Sequence, residues 1–274
     1  SREKNNNRLT MKKLLLILVC IGLFYSCRYN ESELNKENIN GKVKEIVETN
    51  FATKKAFGDI LKDGIQKRWR MTDQMGEMRK YFKVKSKYNQ NGNLIEKIYF
   101  KSSEGRKTIY EYDKDGKKVR KYNRTSWEVT YEYDDKDNII QKNNYYNDNL
   151  KSTIKVITNN EGKIIEAISF NDDSVMYEKV KYNYNDVGNV IESTHYSGDD
   201  GEKEWTIKYK YDNIGNLIEY EEYVNDVYEG KLKWEYKYDE KNNWIERLEY
   251  KYYRHSGYYK PRSITERKIQ YYLK

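Results

Sequence analysis

Short runs of alternating apolar and charged side chains recur along the chain from about residue 84 to residue 250. Between residues 205 and 211 the apolar positions are Trp205, Ile207, Tyr209 and Tyr211. Thr206, Lys208 and Lys210 lie between them, and the same alternation recurs over 127–133 and 232–238. A period of two places successive side chains on opposite faces of an extended chain. These runs therefore predict β-strands with one apolar face and one charged face.

Turns separate the runs at intervals of roughly 21 to 27 residues, which is the signature of an internal repeat. Each turn carries Gly, Asn or Asp at one fixed position, and these residues tolerate positive φ. The predicted structural turn positions are Gly92, Gly116, Asp137, Gly162, Gly188, Gly215 and Asn242. An aromatic residue follows most turns by eight positions: Phe100, Tyr145, Phe170, Tyr196, Tyr223 and Tyr250, with Tyr122 two positions earlier in a shorter repeat.

Each repeat therefore predicts a β-hairpin followed by a polar loop, with the Asp after the last Tyr capping the turn. One hairpin cannot bury its apolar face alone, but stacked hairpins can. We expect an all-β fold, a repetitive antiparallel hairpin meander of about 14 to 16 strands that forms a long twisted or coiled sheet. Residues 41–51 resemble half a repeat, and 52–83 hold either a degenerate hairpin or a helical turn. Residues 263–272, after the single proline Pro261, are typical of a charged edge strand.

The segments "EYDKDGKKVR", "NYNDVGNVIE" and "KYDNIGNLIE" resemble the YD-repeat family, also called RHS repeats, over residues 84–250. The resemblance implies a strip of hairpins that can coil into a shell, and larger family members enclose a toxin domain or act at cell surfaces. This chain is short and has no C-terminal toxin domain, so the resemblance does not imply an enclosed cargo.

Composition changes this picture in two respects. The chain is 37% hydrophobic and 35% charged, but its 30 Tyr supply large apolar rings with a polar tip for a core that is poor in aliphatic residues. The formal net charge is +8, and part of it comes from the N-terminal segment. Elsewhere basic residues alternate with acidic ones, so the basic patch expected of a nucleic-acid-binding protein is missing.

The N-terminal segment predicts the location of the protein. Residues 1–10 look like a leader of doubtful status, and 11–26 ("MKKLLLILVCIGLFYS") predict a signal peptide because the apolar run is too short to span a membrane. Ser26-Cys27 resembles a lipoprotein cleavage site, which implies that Cys27 becomes lipidated. The alternatives are an ordinary cleaved signal or an uncleaved anchor. Residues 27–40 would be a polar tether and 41–274 the repeat domain. Arg28 stands where inner-membrane lipoproteins carry Asp, which favours the outer membrane.

The sequence contains no catalytic constellation, so we expect a protein that is not an enzyme and uses no metal or cofactor. Both cysteines lie in the N-terminal segment. Ser193, His195 and Asp199 lie near one another but lack the context of a nucleophile elbow, and a histidine on a strand surface is the better interpretation. The loops at 172–173 and 199–200 do not match a calcium loop, and turn chemistry explains them. Acidic residues follow the turns at Glu96, Glu166, Glu192, Glu219 and Glu246, with Gln141 in the same column; pairing with cross-strand Lys or Tyr hydroxyls explains them better than catalysis.

Two functions remain open from the sequence. The first is a lipid-anchored envelope module that binds an extended glycan or an envelope protein through exposed aromatic rings, for which Tyr209, Tyr211 and Tyr236 are the candidate contacts. The second is a structural scaffold lipoprotein with no specific ligand. Exposed rows of Tyr would favour the first, whereas burial of the Tyr faces with only Lys and Glu outside would favour the second.

Overall fold

The computed structural model describes residues 38–273 except 57–58, 66–69, 73–77, 81–82, 101–104, 124–125, 199 and 255. The described elements are all β-strands. In chain order they are β1 (Val43–Ala56), β2 (Asp59–Ile65), β3 (Arg70–Thr72), β4 (Met78–Lys80), β5 (Lys83–Tyr88), β6 (Leu94–Phe100), β7 (Gly105–Tyr112), β8 (Lys118–Asn123), β9 (Trp127–Tyr133), β10 (Ile139–Tyr146), β11 (Asn149–Thr158), β12 (Ile164–Asn171), β13 (Met176–Tyr184), β14 (Val190–Ser197), β15 (Lys203–Tyr211), β16 (Leu217–Val224), β17 (Val227–Tyr238), β18 (Trp244–Tyr253) and β19 (Tyr258–Tyr271).

The seven predicted turns lie at one end of the sheet, here called the turn end, and the hairpin loops such as 147–148 and 225–226 lie at the other, the loop end. All seven predicted positions have positive φ, from 59° at Asn242 to 90° at Gly215. The first residue of the turn caps it: Asp212 Oδ1 accepts hydrogen bonds from the amides of Ile214 (3.1 Å) and Asn216 (2.7 Å). The Tyr-Asp and Gly-Asn pairs of the repeat thus build the same turn in each hairpin.

The strands close into an antiparallel barrel of 16 strands. Strands β5 to β19 pair each with the next, and β1 pairs with both β19 and β5. Strand β2 pairs with the C-terminal half of β1, and β3 and β4 form a separate two-stranded sheet. The expectation of an all-β antiparallel meander is confirmed, but the long twisted or coiled sheet is wrong, because the strands close into a barrel. For the same reason β19 is not an edge strand: β1 hydrogen-bonds along it from Ala52 to Val43.

The first described residues, 38–40, bind the turn end of the barrel beside the seam between β1 and β19. The amide of Asn40 donates to Asn243 Oδ1 (2.6 Å), and Asn243 Nδ2 donates back to the carbonyl of Asn40 (3.0 Å). Asn38 Nδ2 donates to the carbonyl of Gly215 (2.8 Å). Residues 38–40, at the end of the predicted polar tether, therefore hydrogen-bond to the turns of the barrel, and the chain enters the barrel at the turn end.

Burial identifies the face that points inward. In β13 and β15 alternate residues such as Val180, Tyr182 and Ile207 are buried, whereas Lys181 and Lys208 between them are exposed. On the convex side of a barrel wall side chains spread apart, so the buried face is the concave interior and the charged face is the exterior. The main interior cluster spans β11 to β15 and contains Val156, Ile164, Ala167, Val180, Tyr182, Val190, Trp205, Ile207 and Tyr209.

Candidate functional site

The three tyrosines that the sequence nominated as ligand contacts are held inside the wall. Tyr209 is buried, and its hydroxyl lies 3.2 Å from Ser193 Oγ. Tyr211 and Tyr236 donate hydrogen bonds to the backbone carbonyls of Val190 (2.8 Å) and Leu217 (2.6 Å) in the preceding hairpin. Burial raises the pKa of Tyr236. In this arrangement the three hydroxyls tie one repeat to the next.

The outer wall carries a belt of ion pairs in the part of the strands next to the turn end, here called the ion-pair belt. Glu219 lies between Lys210 (2.6 Å) and Lys231 (2.8 Å) on the strands to either side, and Glu96 lies between Lys87 and Lys107 in the same way. The belt continues with Lys237–Glu246 (2.7 Å) and with the hydrogen bond from Asn183 Nδ2 to Glu192 Oε1 (3.1 Å).

Electrostatics agree with a structural role for this glutamate column. Burial raises the pKa of Glu219, but the hydrogen bonds from Lys210 and Lys231 outweigh it and hold the pKa below its usual value. The carboxylates are therefore ionised and shared between neighbouring lysines, as cross-strand pairing requires.

A second feature of the outer wall is a ring of aromatic side chains at the loop end, here called the outer aromatic ring. It consists of Phe100, Tyr122, Tyr145, Phe170, Tyr196, Tyr223 and Tyr250, and all seven are half-buried. Most of these seven side chains have a cation over the face of the aromatic ring. Arg120 lies 4.7 Å from the centroid of Tyr122, and Lys208 lies 5.3 Å from that of Tyr223. The periodicity of the sequence revealed this column but not that it faces outward.

The aromatic–cation pairing extends around the wall. Further ammonium groups lie over Phe100, Phe170, Tyr196 and Tyr250 at 5.2 to 5.9 Å from the ring centroids. Cation–π contacts of this kind are weak when exposed. They leave positively charged donors beside partly open rings, and this combination suits an acidic ligand with an apolar face.

The interior holds an ionisable pair that sequence reasoning missed in part. His195 Nδ1 lies 3.0 Å from Glu178 Oε1, and the imidazole stacks on Trp205 with ring centroids 4.8 Å apart. Glu178 is 2% exposed and His195 0% exposed. Burial raises the pKa of Glu178 to about 8, with Glu204 adding to the effect, and burial lowers the pKa of His195 to about 3. The pair is therefore neutral in the fold.

A charged residue at the apolar face of an alternating strand was the signal for this pair. Glu178 shares its face with Val180 and Tyr182, so the alternation itself marks it as a buried acid. Ser193 and His195 lie on the same strand but hydrogen-bond to different groups, Tyr209 and Glu178. Asp199, the third residue considered for hydrolysis, lies outside the described residues.

The residues that the structure describes contain neither a metal-binding cluster nor a helix that could cross a membrane. Among them no group of His, Cys, Asp and Glu side chains has the arrangement of a metal site. Asp172 lies 3.6 Å from Lys151 instead, and Asp200 Oδ1 accepts the amide of Glu202 at 2.9 Å. In the described ranges, no helix has the length and apolar character needed to cross a bilayer.

Comparison with known proteins reveals a porin-like barrel. No protein-family model and no curated protein matches the chain. A porin-like protein from Bacteroides uniformis superposes with a TM-score of 0.53 at 11% identity, over 83% of this chain and 96% of that protein. A porin-like protein from Bacteroides vulgatus matches at 11% identity over 85% of this chain and 99% of that protein, but with a TM-score of 0.42. A TcdB2-TccC3-TEV structure gives a TM-score of 0.28 at 10% identity, over 66% of this chain and 12% of that one.

The fold is therefore that of a closed, porin-like antiparallel β-barrel. The resemblance to the YD-repeat family is wrong, because the chain closes on itself and its fold neighbour is porin-like. A porin-like fold agrees with the expected cell-envelope location, whereas the signal peptide and Cys27 lie outside the described residues.

Proposed function

We propose that the protein is a lipid-anchored barrel of the outer membrane whose wall stands in water beside the bilayer, and that it binds an extended acidic glycan of the envelope. The observation that carries the proposal is the charged exterior of the closed wall. Tethering is assigned to Cys27 and binding to the outer aromatic ring. The proposal keeps the envelope module expected from the sequence and moves the contact surface from Tyr209, Tyr211 and Tyr236 to the exterior.

The ion-pair belt argues against a wall that faces lipid. The side chains of Lys210 and Lys237 are 65% and 75% exposed on the outside of the barrel. A lysine on the lipid face near the bilayer midplane costs roughly 2–4 kcal/mol, and exposed Lys181 and Lys208 lie near the middle of β13 and β15 on the same outer face. From Ile95 to Phe100 the outer wall rises only about 16 Å along the strand, less than the apolar band of about 25 Å on spanning barrels.

The outer aromatic ring supports the binding proposal through its repetition. Its members lie on alternate strands, so neighbouring rings are about 10 Å apart around the wall. Each contact is weak alone, but a polymer that engages several at once gains avidity from its own connectivity. The cations beside the rings, such as Lys208 beside Tyr223, would contact carboxylates of the glycan.

A scaffold without a specific ligand is the second candidate. It is favoured because tyrosine hydroxyls on the outer face already donate hydrogen bonds within the protein. Tyr223 donates to Glu221 (2.9 Å) and Tyr250 donates to Glu235 (2.8 Å). A surface that satisfies its own polar groups needs no ligand. Binding experiments separate the two proposals.

The anchor and the wall can be tested in a Gram-negative host. The full chain should incorporate labelled palmitate, and Cys27→Ala should abolish this incorporation. Residues 28–274 behind an ordinary cleavable secretion signal should appear in the soluble periplasmic fraction and stay monodisperse without detergent. Persistence of this anchorless form in carbonate-washed membranes would show that the barrel itself spans the bilayer.

Glycan binding can be tested by affinity electrophoresis of the anchorless protein in gels that contain alginate or neutral dextran. We expect alginate alone to retard the protein. The combined change of Phe170, Tyr196 and Tyr223 to Ala should remove the retardation. The matched control changes Ile165, Ile191 and Ile218, on the same strands and outer face at the turn end, to Ala and should keep it. Equal mobility of all proteins in both gels would favour the scaffold.

A further inference from the structure

The outer wall ends in a ring of exposed aliphatic side chains at the turn end, here called the aliphatic rim. Six of its members are 37% to 41% exposed: Ile95, Val119, Ile140, Ile165, Ile191 and Ile245. Each lies three residues after the positive-φ residue of its turn, at a β-bulge. In the β5–β6 pair, Lys87 pairs with Glu96 and Tyr88 pairs with Leu94, which leaves Ile95 in the bulge. The bulge places the aliphatic residue outside while its predecessor, such as Leu94, is buried.

The rim extends onto the turns of two neighbouring hairpins. Val187 and Ile214 occupy equivalent positions in the β13–β14 and β15–β16 turns, and both are exposed. Ile157, at the end of β11, adds a further exposed side chain at this end of the wall. Turn positions are usually polar, so Ile214 enlarges the exposed apolar surface at this end of the wall.

The loop end also exposes apolar side chains, such as Val175 and Val227, so exposure alone does not separate the two ends. The chain enters the barrel at the turn end, which makes this the end nearer to the anchor along the chain. Asn38 is hydrogen-bonded to the carbonyl of Gly215, the residue after Ile214. Residues 28–37 connect Cys27 to Asn38, and a fully extended segment of that length spans about 35 Å at most. A lipid on Cys27 must therefore lie within this distance of the turn at 212–216.

We propose that the aliphatic rim rests in the headgroup–acyl boundary of the bilayer, so that the turn end faces the membrane and the outer aromatic ring faces away from it. This orientation rests on the lipid anchor of the proposed function and goes beyond it. Apolar groups at the boundary need to enter only about 5–10 Å to be buried. The bilayer that holds the anchor is thus the occupant of the rim.

Charge at the turns defines the kind of lipid surface. Exposed lysines there stand next to exposed acids, as in Lys114 beside Asp115 and Glu240 beside Lys241. Such pairs give no net attraction to anionic lipids. We therefore expect the rim to contact zwitterionic phosphatidylcholine bilayers as well as anionic ones, and the contact to be insensitive to salt.

The test uses the full lipidated chain reconstituted in phosphatidylcholine vesicles, with one new cysteine carrying the polarity-sensitive dye NBD. Ile214→Cys places the dye on a turn of the aliphatic rim, and Val227→Cys, at the first residue of β17, is the matched control at the loop end. Both native side chains are exposed, at 42% and 52%, so neither change enters the core. We expect blue-shifted emission and quenching by nitroxide-labelled lipids at position 214, and aqueous emission at 227.

The outcomes separate the orientation from the anchor. Aqueous emission at both positions, or quenching at 227 alone, in protein that still floats with the vesicles overturns the orientation and leaves the anchor intact. Flotation that is unchanged by Cys27→Ala overturns the anchor instead, and quenching at 214 then decides whether the rim alone holds the membrane. Equal quenching in 1 M and 0.1 M salt supports an apolar contact, whereas loss of quenching at 1 M salt overturns it.

Discussion

Replacement of Glu178 by Gln tests the buried pair of β13 and β14 most directly. The change keeps the size of the side chain but removes its ability to ionise. In the fold the carboxyl group keeps its proton up to a pKa of about 8, because burial and the nearby Glu204 oppose its charge. In the unfolded chain it loses that proton near 4.5. The folded state therefore binds one more proton in this window, and the free energy of unfolding falls as pH rises through it.

His195 acts in the opposite sense at lower pH. Burial lowers its pKa from 6.5 to about 3, so the unfolded chain binds the extra proton between these values. This contribution makes the free energy of unfolding rise with pH up to about 6.5 and offsets that of Glu178 from about 4.5 to 6.5. Above 6.5 only Glu178 contributes, at about 1.4 kcal/mol per pH unit, which amounts to about 2 kcal/mol by pH 8.

The measurement is the free energy of unfolding in urea at pH 5.5, 6.5, 7.25 and 8, followed by tryptophan fluorescence, which includes Trp205 stacked on His195. The difference between the native protein and Glu178→Gln cancels every other titrating group. We expect this difference to change by about 2 kcal/mol between pH 6.5 and 8 in favour of the variant. A variant that is less stable by about 3–5 kcal/mol at every pH would show instead that the pair is a buried ion pair.

Three further predictions concern a turn of the wall, a hydrogen bond between repeats and the segment before β1. Gly215→Val should lower the free energy of unfolding by about 1–3 kcal/mol because φ there is 90°, whereas Gly230→Val, where an added Cβ meets nothing within 4 Å, should leave urea unfolding nearly unchanged. Tyr211→Phe should cost about 1 kcal/mol in the same assay, since it removes one hydrogen bond between repeats. Asn243→Ala should cost about 2 kcal/mol or more and increase proteolysis near Asn40, because it removes the bonds that hold the segment before β1 against the β17–β18 turn; unaltered cleavage would show that this segment is held by other contacts.

The repeat made much of the wall predictable from the sequence. Alternation identified the strands, and the Gly, Asn and Asp column lies at positions whose φ is positive. Closure could not be predicted in the same way, because it depends on pairing between β1 and β19, more than 200 residues apart in the chain. The seam also carries no distinctive sequence: Asn38 and Asn40 look like tether residues until Gly215 and Asn243 are placed beside them.

The candidate surface was predictable only in part. Alternation separates two faces of a strand but does not say which becomes concave, so the sequence identified tyrosine columns without identifying those that face outward. Tyr209 and Tyr223 both belong to regular columns, yet the first is buried and the second lies on the exterior. His195 looked like a surface residue until Glu178, 17 positions earlier, supplied its hydrogen bond.

The seam has a consequence for how barrels of this kind can change in size. Every hairpin contributes two strands, and β1 meets β19 in the antiparallel sense however many hairpins lie between them. Duplication or loss of one repeat would therefore alter the circumference by two strands and keep the number even. A single added strand would bring parallel neighbours together at the joint and destroy its pairing. Gain or loss of one whole repeat is thus the unit in which the circumference of the barrel can evolve.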